Sequence, residues 1–287
     1  MYKSIVVGFD ESESSKAALK EASLRIKNHG GKLFLVHAVY FDQEEFTTQP
    51  SQMERRFEIG TRFCMDAKKD LHDNYGLNGS IESVICEGEP PEVIVEVAEG
   101  KKADLIALGT YGRKGLKRLI MGSVTSQVVL NATCDVLVVK KPCSKCSGSY
   151  QSLLVPFDGS ESSRKALMKA CNLAKFDGAE VSVLYVIPRY EEMIDFFKTD
   201  SVKKSLFQEA EKIVDGAKSI AAGAGVSIKA VVQEGHADEK IVEIANTMKH
   251  DLIVVGTHGW RGVNKALLGS TAERVIAHTS CPVLIAR

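Results

Sequence analysis

The sequence predicts two tandem α/β domains, each an open parallel sheet with strand order 3-2-1-4-5, and three observations carry that prediction. A glycine–serine pattern, G109-T-Y-G112 followed after nine residues by G122-S123, returns as G256-T-H-G259 followed after nine residues by G269-S270. An acidic strand end, I5-V-V-G-F-D10-E-S-E-S-S15, returns as L153-L-V-P-F-D158-G-S-E-S-S163, so Asp158 follows Asp10 by 148 residues and Gly256 follows Gly109 by 147. Short Val/Ile/Leu runs alternate with helical stretches throughout both halves, the pattern of parallel strands joined by right-handed crossovers. A self-similar period of this length means one fold written twice.

The elements follow in order. In the first half the apolar runs Ile5 to Phe9, Lys32 to Val39, Ser80 to Cys86, Leu105 to Gly109 and Val136 to Val139 read as strands. Leu153 to Phe157, Glu180 to Ile187, Ser227 to Val232, Leu252 to Gly256 and Val283 to Ala286 are their counterparts. Between them, Lys165 to Lys175 puts Leu167, Ala170, Cys171 and Ala174 on one face of a helix that lies on the sheet. Met53 to Asp73 and Ser201 to Ala222 are the longer helical segments, introduced by the charged, uneven stretches Phe41 to Gln52 and Arg189 to Asp200, which are read as mobile. Short helices open at Ser123 and Ser270 and cover Val124 to Leu130 and Thr271 to Ala277. Pro142, Gly148 and the serines of K140-K-P-C-S-K-C-S-G-S149 punctuate the chain, giving domains over 1–141 and 151–287 with a cysteine-containing linker over 142–150.

Composition excludes several function classes. The 287 residues carry 37 basic against 37 acidic side chains, so no net charge draws the chain to nucleic acid or to an anionic membrane. Arg113, Lys114, Lys117 and Arg118 form a small basic group, read as a solvated loop beside a phosphate-sized site. No apolar run approaches the ~20 residues that span a bilayer, and Asp10 interrupts the first apolar run before a signal-peptide core forms; the expectation is a cytoplasmic protein.

In open parallel sheets, ligands sit outside the carboxyl ends of the strands where strand order reverses. Asp10 and Asp158 end the first strands and Gly109 and Gly256 the fourth, so one carboxylate and one glycine-rich loop line a common crevice in each half. Gly109 and Gly256 let the chain turn sharply and bring backbone N–H groups to a ligand. The helices that open at Ser123 and Ser270 add free N–H groups and hydroxyls, a seat for phosphate oxygens. The pattern is neither a dinucleotide fingerprint nor a Walker loop, since G-x-G-x-x-G is absent after the first strand and no G-x-x-x-x-G-K-[ST] occurs.

The chain resembles the universal stress protein family in its tandem form. Both glycine patterns satisfy that family's nucleotide-binding signature, G-x2-G-x9-G-[ST], and the resemblance runs through the closing C281-P-V-L-I-A-R287. It implies ATP or AMP as ligand, with Asp158 and Asp10 near the adenosine, Val186 and Ala38 packing on adenine, and Gly256, Thr257, His258, Gly259, Gly269, Ser270 and Thr271 holding ribose and phosphates. In the first half the corresponding positions are Gly109, Gly112, Gly122, Ser123 and Val124. Val155-Pro156-Phe157-Asp158-Gly159-Ser160 matches the family's strand end, whereas the first half has Gly8 for the proline and Glu11 for the glycine. A carboxylate at Glu11 repels phosphate or blocks a turn, which predicts tighter nucleotide binding by the second half. The resemblance also implies antiparallel pairing of the domains through their last strands in an internal pseudo-dimer about a pseudo-two-fold axis, with homodimerisation and an unidentified regulatory protein partner open.

His258, in the second glycine loop, and His236, in E234-G-H-A237, can hydrogen-bond phosphate or orient a water; His29, His37, His72, His250 and His278 are read as surface or packing residues. Cys64, Cys86, Cys134, Cys171 and Cys281 read as small apolar side chains. Cys143 and Cys146 stand as half of a zinc site, a redox pair, or an inert linker. Two functions remain: an adenine-nucleotide-binding regulatory stress-response protein with little or no turnover, and a slow Mg-dependent ATP hydrolase or phosphotransferase. No aspartate is placed like a Walker-B residue and no lysine sits in the phosphate nest, so binding is favoured, with weak ATPase activity at most.

Overall fold

A computed structural model describes residues 1–40, 50–77, 79–111, 121–141, 147–188, 200–257 and 268–287. The chain divides into two compact units, Met1–Ser149 and Tyr150–Arg287. The segments Phe41 to Gln52 and Arg189 to Asp200, read from sequence as mobile, fall almost wholly outside the described residues.

The first unit runs β1 (Ser4–Gly8), α1 (Glu13–His29), β2 (Lys32–Val39), α2 (Pro50–Tyr75), β3 (Ile81–Glu87), α3 (Pro90–Gly100), β4 (Leu105–Gly109), α4 (Ser123–Asn131) and β5 (Asp135–Val139). Its strands lie in the order β3-β2-β1-β4-β5, each neighbour parallel. The second unit repeats this as β6 (Ser152–Pro156), α5 (Glu161–Asp177), β7 (Glu180–Ile187), α6 (Asp200–Gly223), β8 (Ile228–Glu234), α7 (Ala237–Thr247), β9 (Leu252–Gly256), α8 (Ser270–His278) and β10 (Val283–Ala286). There the order is β8-β7-β6-β9-β10, again parallel at every pairing.

Apolar runs form the central strands because both faces are covered. Ile5, Val6 and Val7 of β1 and Leu153, Leu154 and Val155 of β6 are fully buried, as are Ala18 of α1 and Ala166, Leu167 and Ala170 of α5. The outer strand β8 differs: all of its positions are half-buried or exposed, the mark of a strand with one neighbour and one open side. That openness hid its end from the sequence pattern, and β8 continues two residues beyond the expected Val232, to Glu234.

The acidic end of each unit's first strand is a helix-capping device. Ser12 and Ser160 are the N-caps of α1 and α5; each side chain accepts a hydrogen bond from the backbone N–H three residues on, Ser15 and Ser163, at 3.2 Å. The other ends of β1 and β6 are held alike. Asp104 accepts from the N–H groups of Lys3 and Ser4, and Asp251 from those of Gln151 and Ser152. The strand that carries the crevice is therefore fixed at both ends by side chains that the repeat preserves.

Ser147, Gly148 and Ser149, placed by the sequence in the linker, lie on α1 in the first unit. Arg25 donates to the Gly148 carbonyl at 3.4 Å, and His29 Nε2 meets Ser149 Oγ at 3.0 Å.

Candidate functional site

The turn leaving β1 sets the first carboxylate. The Ser12 N–H donates to Asp10 Oδ1 at 3.0 Å, and the Ser160 N–H to Asp158 Oδ1 at the same distance, so in both units the strand end closes as an Asx turn leading into the capped helix. Glu11 makes this turn at φ 67, where its counterpart Gly159 has φ 81. The expectation that Glu11 blocks the turn is thus corrected: the backbone hydrogen bond forms identically, and the residue absorbs the left-handed conformation as local strain.

The fourth strand ends on glycine for a different reason from the one inferred. Gly109 and Gly256 are not in the left-handed region; instead, the first turn of the capped helix packs onto them. A Cβ on Gly109 would sit 2.7 Å from the Ser14 carbonyl carbon, and one on Gly256 2.6 Å from that of Ser162. These glycines bring the N-terminus of α1 or α5 against the end of β4 or β9. Their part in the crevice is to let two helix starts converge, rather than to turn the chain.

Those two helix starts are not alike. α1 is capped by Ser12, whereas α4 opens on Gly122 with no side-chain cap, and α8 opens on Gly269 in the same way. The Gly122 N–H donates back to the Thr110 carbonyl at 2.7 Å and the Gly269 N–H to Thr257 at 3.1 Å, which pins each N-cap to the end of the preceding strand. Thr125 Oγ1 also donates to the Gly109 carbonyl at 2.7 Å. The N–H groups in the first turns of α4 and α8 thus lack the side-chain acceptor that α1 and α5 have, the usual preparation for an anion.

In the first unit these parts enclose a cavity of about 1010 Å³. Asp10, Ala38, Gly109, Gly122, Ser123 and Val124, six of the residues expected from sequence, all line it. Its volume is at the upper end of the ~300–1,000 Å³ of ordinary ligand pockets. Gly112 lies outside the described residues. In the second unit Asp158 follows β6, Val186 is the penultimate residue of β7, Gly256 ends β9 with Thr257 next to it, and Gly269, Ser270 and Thr271 open α8. His258 and Gly259 lie outside the described residues, as do Cys143 and Cys146.

Several contributors to the cavity were not foreseen. His37, expected to be a packing or surface residue, lines it: Nδ1 is 2.7 Å from the Phe9 carbonyl, and the ring stands edge-on to Phe63 with centroids 5.9 Å apart. Its flank lies against Gly60, where a Cβ would come 2.5 Å from the imidazole. Nothing in the spacing of a lone histidine announces this. Ser12 and Ser15 also line the cavity, and their three-residue spacing after an aspartate is a readable N-cap signal. Glu89 adds a second carboxylate to Asp10. In the second unit Tyr185 takes the place of His37; burial pushes its hydroxyl above the ordinary tyrosine range, with the charges of Glu209 and Asp158 adding to the shift.

Away from the crevice, Cys64 and Cys171 are fully buried, as their apolar surroundings implied, and burial raises the Cys64 thiol to about 11. His250 is buried rather than superficial. Among the described residues, no group of three or more His, Cys, Asp or Glu is placed to hold a metal ion, and no helix is long and apolar enough to cross a membrane.

The universal stress protein family model matches residues 1–140 and 149–287. A universal stress protein of Methanocaldococcus jannaschii is 38% identical over 148 residues, covering 50% of this chain and 84% of its own. One from Mycobacterium tuberculosis is 27% identical over 293 residues, covering 99% of this chain and 96% of its own. The crystal structure of a universal stress protein from Archaeoglobus fulgidus aligns over 99% of this chain and 95% of its own, with a TM-score of 0.71 and 19% sequence identity, and so shares the fold. The chain belongs to the universal stress protein family.

Proposed function

We propose that this universal stress protein binds an adenine nucleotide, ATP or AMP, in the crevice of each unit and acts as a nucleotide-responsive regulator with little or no turnover. The observation that carries the reading is the first unit's cavity. Its lining brings together a strand-end carboxylate, Asp10, an apolar β2 residue, Ala38, and a glycine-capped helix start, Gly122 and Ser123, the kinds of group that an adenosine and its phosphates require. Ala38 and Val186 supply apolar contact for a base. In this reading Asp10 and Asp158, whose Oδ1 atoms the Asx turns hold, accept hydrogen bonds from ribose hydroxyls. The first-turn N–H groups of α4 and α8, with Ser123 and Ser270, hold phosphate oxygens.

Turnover needs a placed nucleophile and compensation for charge developing in the transition state. Asp10 and Asp158 already accept backbone hydrogen bonds and stand at the adenosine end of this arrangement. His236 is the N-cap of α7 and makes no capping bond. A Mg²⁺ ion would be carried by phosphate oxygens and water.

Calorimetric titration of the whole chain with ATP and with AMP tests the reading, using Ser123→Asp and Ser270→Asp. Each substitution puts a carboxylate where a phosphate would sit, at a helix start that tolerates negative charge. Each should weaken binding at its own site about tenfold or more. Phosphate release should stay well below about 1 per second. Failure of the unaltered chain to bind either nucleotide, or indifference of binding to both substitutions, would overturn the reading; turnover above that rate would make the hydrolase reading primary.

A further inference from the structure

The two crevices are built on matching backbones but carry different charge at one wall. After β3, the Gly88 N–H donates to the Val39 carbonyl at 3.1 Å; after β8, the Gly235 N–H donates to that of Ile187 at 3.0 Å. Both glycines take φ values that other residues avoid, 140 and 146. The next residue opens a helix in each unit, Glu89 before α3 and His236 before α7, with φ −61, ψ 125 and φ −82, ψ 127. Neither side chain makes the capping hydrogen bond that its position invites.

The carboxylate of Glu89 thus does no capping, and it stands on the lining of the same cavity as Asp10, Gly122 and Ser123. Its counterpart in the second unit is an imidazole. The turn after β1 shows a swap of the same sense, Glu11 against Gly159, with Lys16 Nζ 3.9 Å from the Glu11 carboxylate. Glu89, which lines the cavity, puts a carboxylate where the second unit has none; Glu11 lies outside the lining. Across a partly apolar cavity such charges act on a ligand's phosphates without touching them.

We infer that Glu89 is a specificity-determining residue that turns the first crevice against phosphate-rich occupants and toward nucleosides and monophosphates, while His236 leaves the second open to polyphosphates. The inference rests on the nucleotide reading above. Glu89 is solvent-exposed at the cavity wall, so its effect is severalfold rather than hundredfold and is screened by salt.

The test is calorimetry on the full chain carrying Ser270→Asp, titrated with adenosine, AMP and ATP at low and high ionic strength. In that background adenosine and AMP should bind at least as tightly as ATP. Adding Glu89→Gln should tighten ATP about threefold at low salt, leave adenosine unchanged, and lose its effect near 0.5 M salt, where the Debye length is only a few ångströms. The reciprocal chain, Ser123→Asp with His236→Glu, should bind ATP about threefold more weakly with adenosine again unaffected, so the inference does not depend on one variant folding. An ATP-to-adenosine ratio unmoved by both charge changes would overturn it while leaving nucleotide binding intact. No binding of any of the three by the Ser270→Asp chain would overturn both the nucleotide reading of the first unit and the role of Glu89.

Discussion

At the scale of single residues, a buried imidazole ties the second unit's stability to pH. His250 is 7% exposed, its Nδ1 lies 2.8 Å from Ser152 Oγ, and Nε2 is buried with no hydrogen-bond partner. Whichever nitrogen carries the proton in the neutral ring, one is left unsatisfied, and a second proton would bury a charge. Burial lowers its pKa from the ordinary value and the Lys229 charge adds to this, against the opposing pull of the Ser152 backbone and the Asp251 carboxylate. The unfolded chain therefore takes up the proton first as pH falls: the contribution is complete above about 6.5 and is lost progressively below it. Asp251 acts in the opposite sense at lower pH, because burial raises its own pKa. His250→Ala, which copies Ala103 of the first unit, should cost stability at pH 7.5 yet flatten the loss between pH 7 and 5.5 in thermal unfolding. An unchanged pH slope would assign the dependence elsewhere. Backbone strain is the other residue-scale effect. Glu11, Lys102 and Lys249 have φ of 67, 48 and 58. Relief of ~1–2 kcal/mol of left-handed strain, less glycine's ~0.5–1 kcal/mol entropy cost, predicts that each, changed to glycine, gains about 0.5 kcal/mol in denaturant unfolding.

At the scale of elements, the contrast that matters is between helix starts that cap themselves and helix starts that do not. The serines after Asp10 and Asp158 satisfy α1 and α5 locally, and those helices then serve as packing for the end of the fourth strand. Glycine at the start of α4 and α8 leaves the first turn without a side-chain cap. The spacing of glycine and serine made both openings legible in sequence, and the strands were legible because both faces of each central strand are apolar. The reason for Gly109 and Gly256 was not legible, because a close approach by Ser14 or Ser162, about 95 residues earlier in the chain, leaves no local pattern. His37 was hidden for the same reason: its place in the cavity depends on Gly60 and Phe63 of α2, a contact between elements rather than a motif.

At the scale of the whole molecule, duplication supplies an internal comparison. The same strand order, capped first helix, aspartate clamp at the start of the first strand and uncapped fourth helix occur in both units, so these features belong to the fold. The units differ at Glu11, His37, Glu89 and Ala103, set against Gly159, Tyr185, His236 and His250, and these are the positions at which the ligand preference proposed above and the response to acid would diverge. The proposed function turns on the uncapped start of α4, with its counterpart in α8, serving as a phosphate seat. Backbone amide resonances followed on adding ATP to the full chain test it most directly. The largest shifts and the greatest slowing of exchange should fall on Ser123, Val124 and Thr125, and on Ser270, Thr271 and Ala272, with smaller changes at Ser12 and Ser160, whose helices are already capped. Saturation with ATP that left the amides of both uncapped turns unmoved, while others shifted, would contradict it.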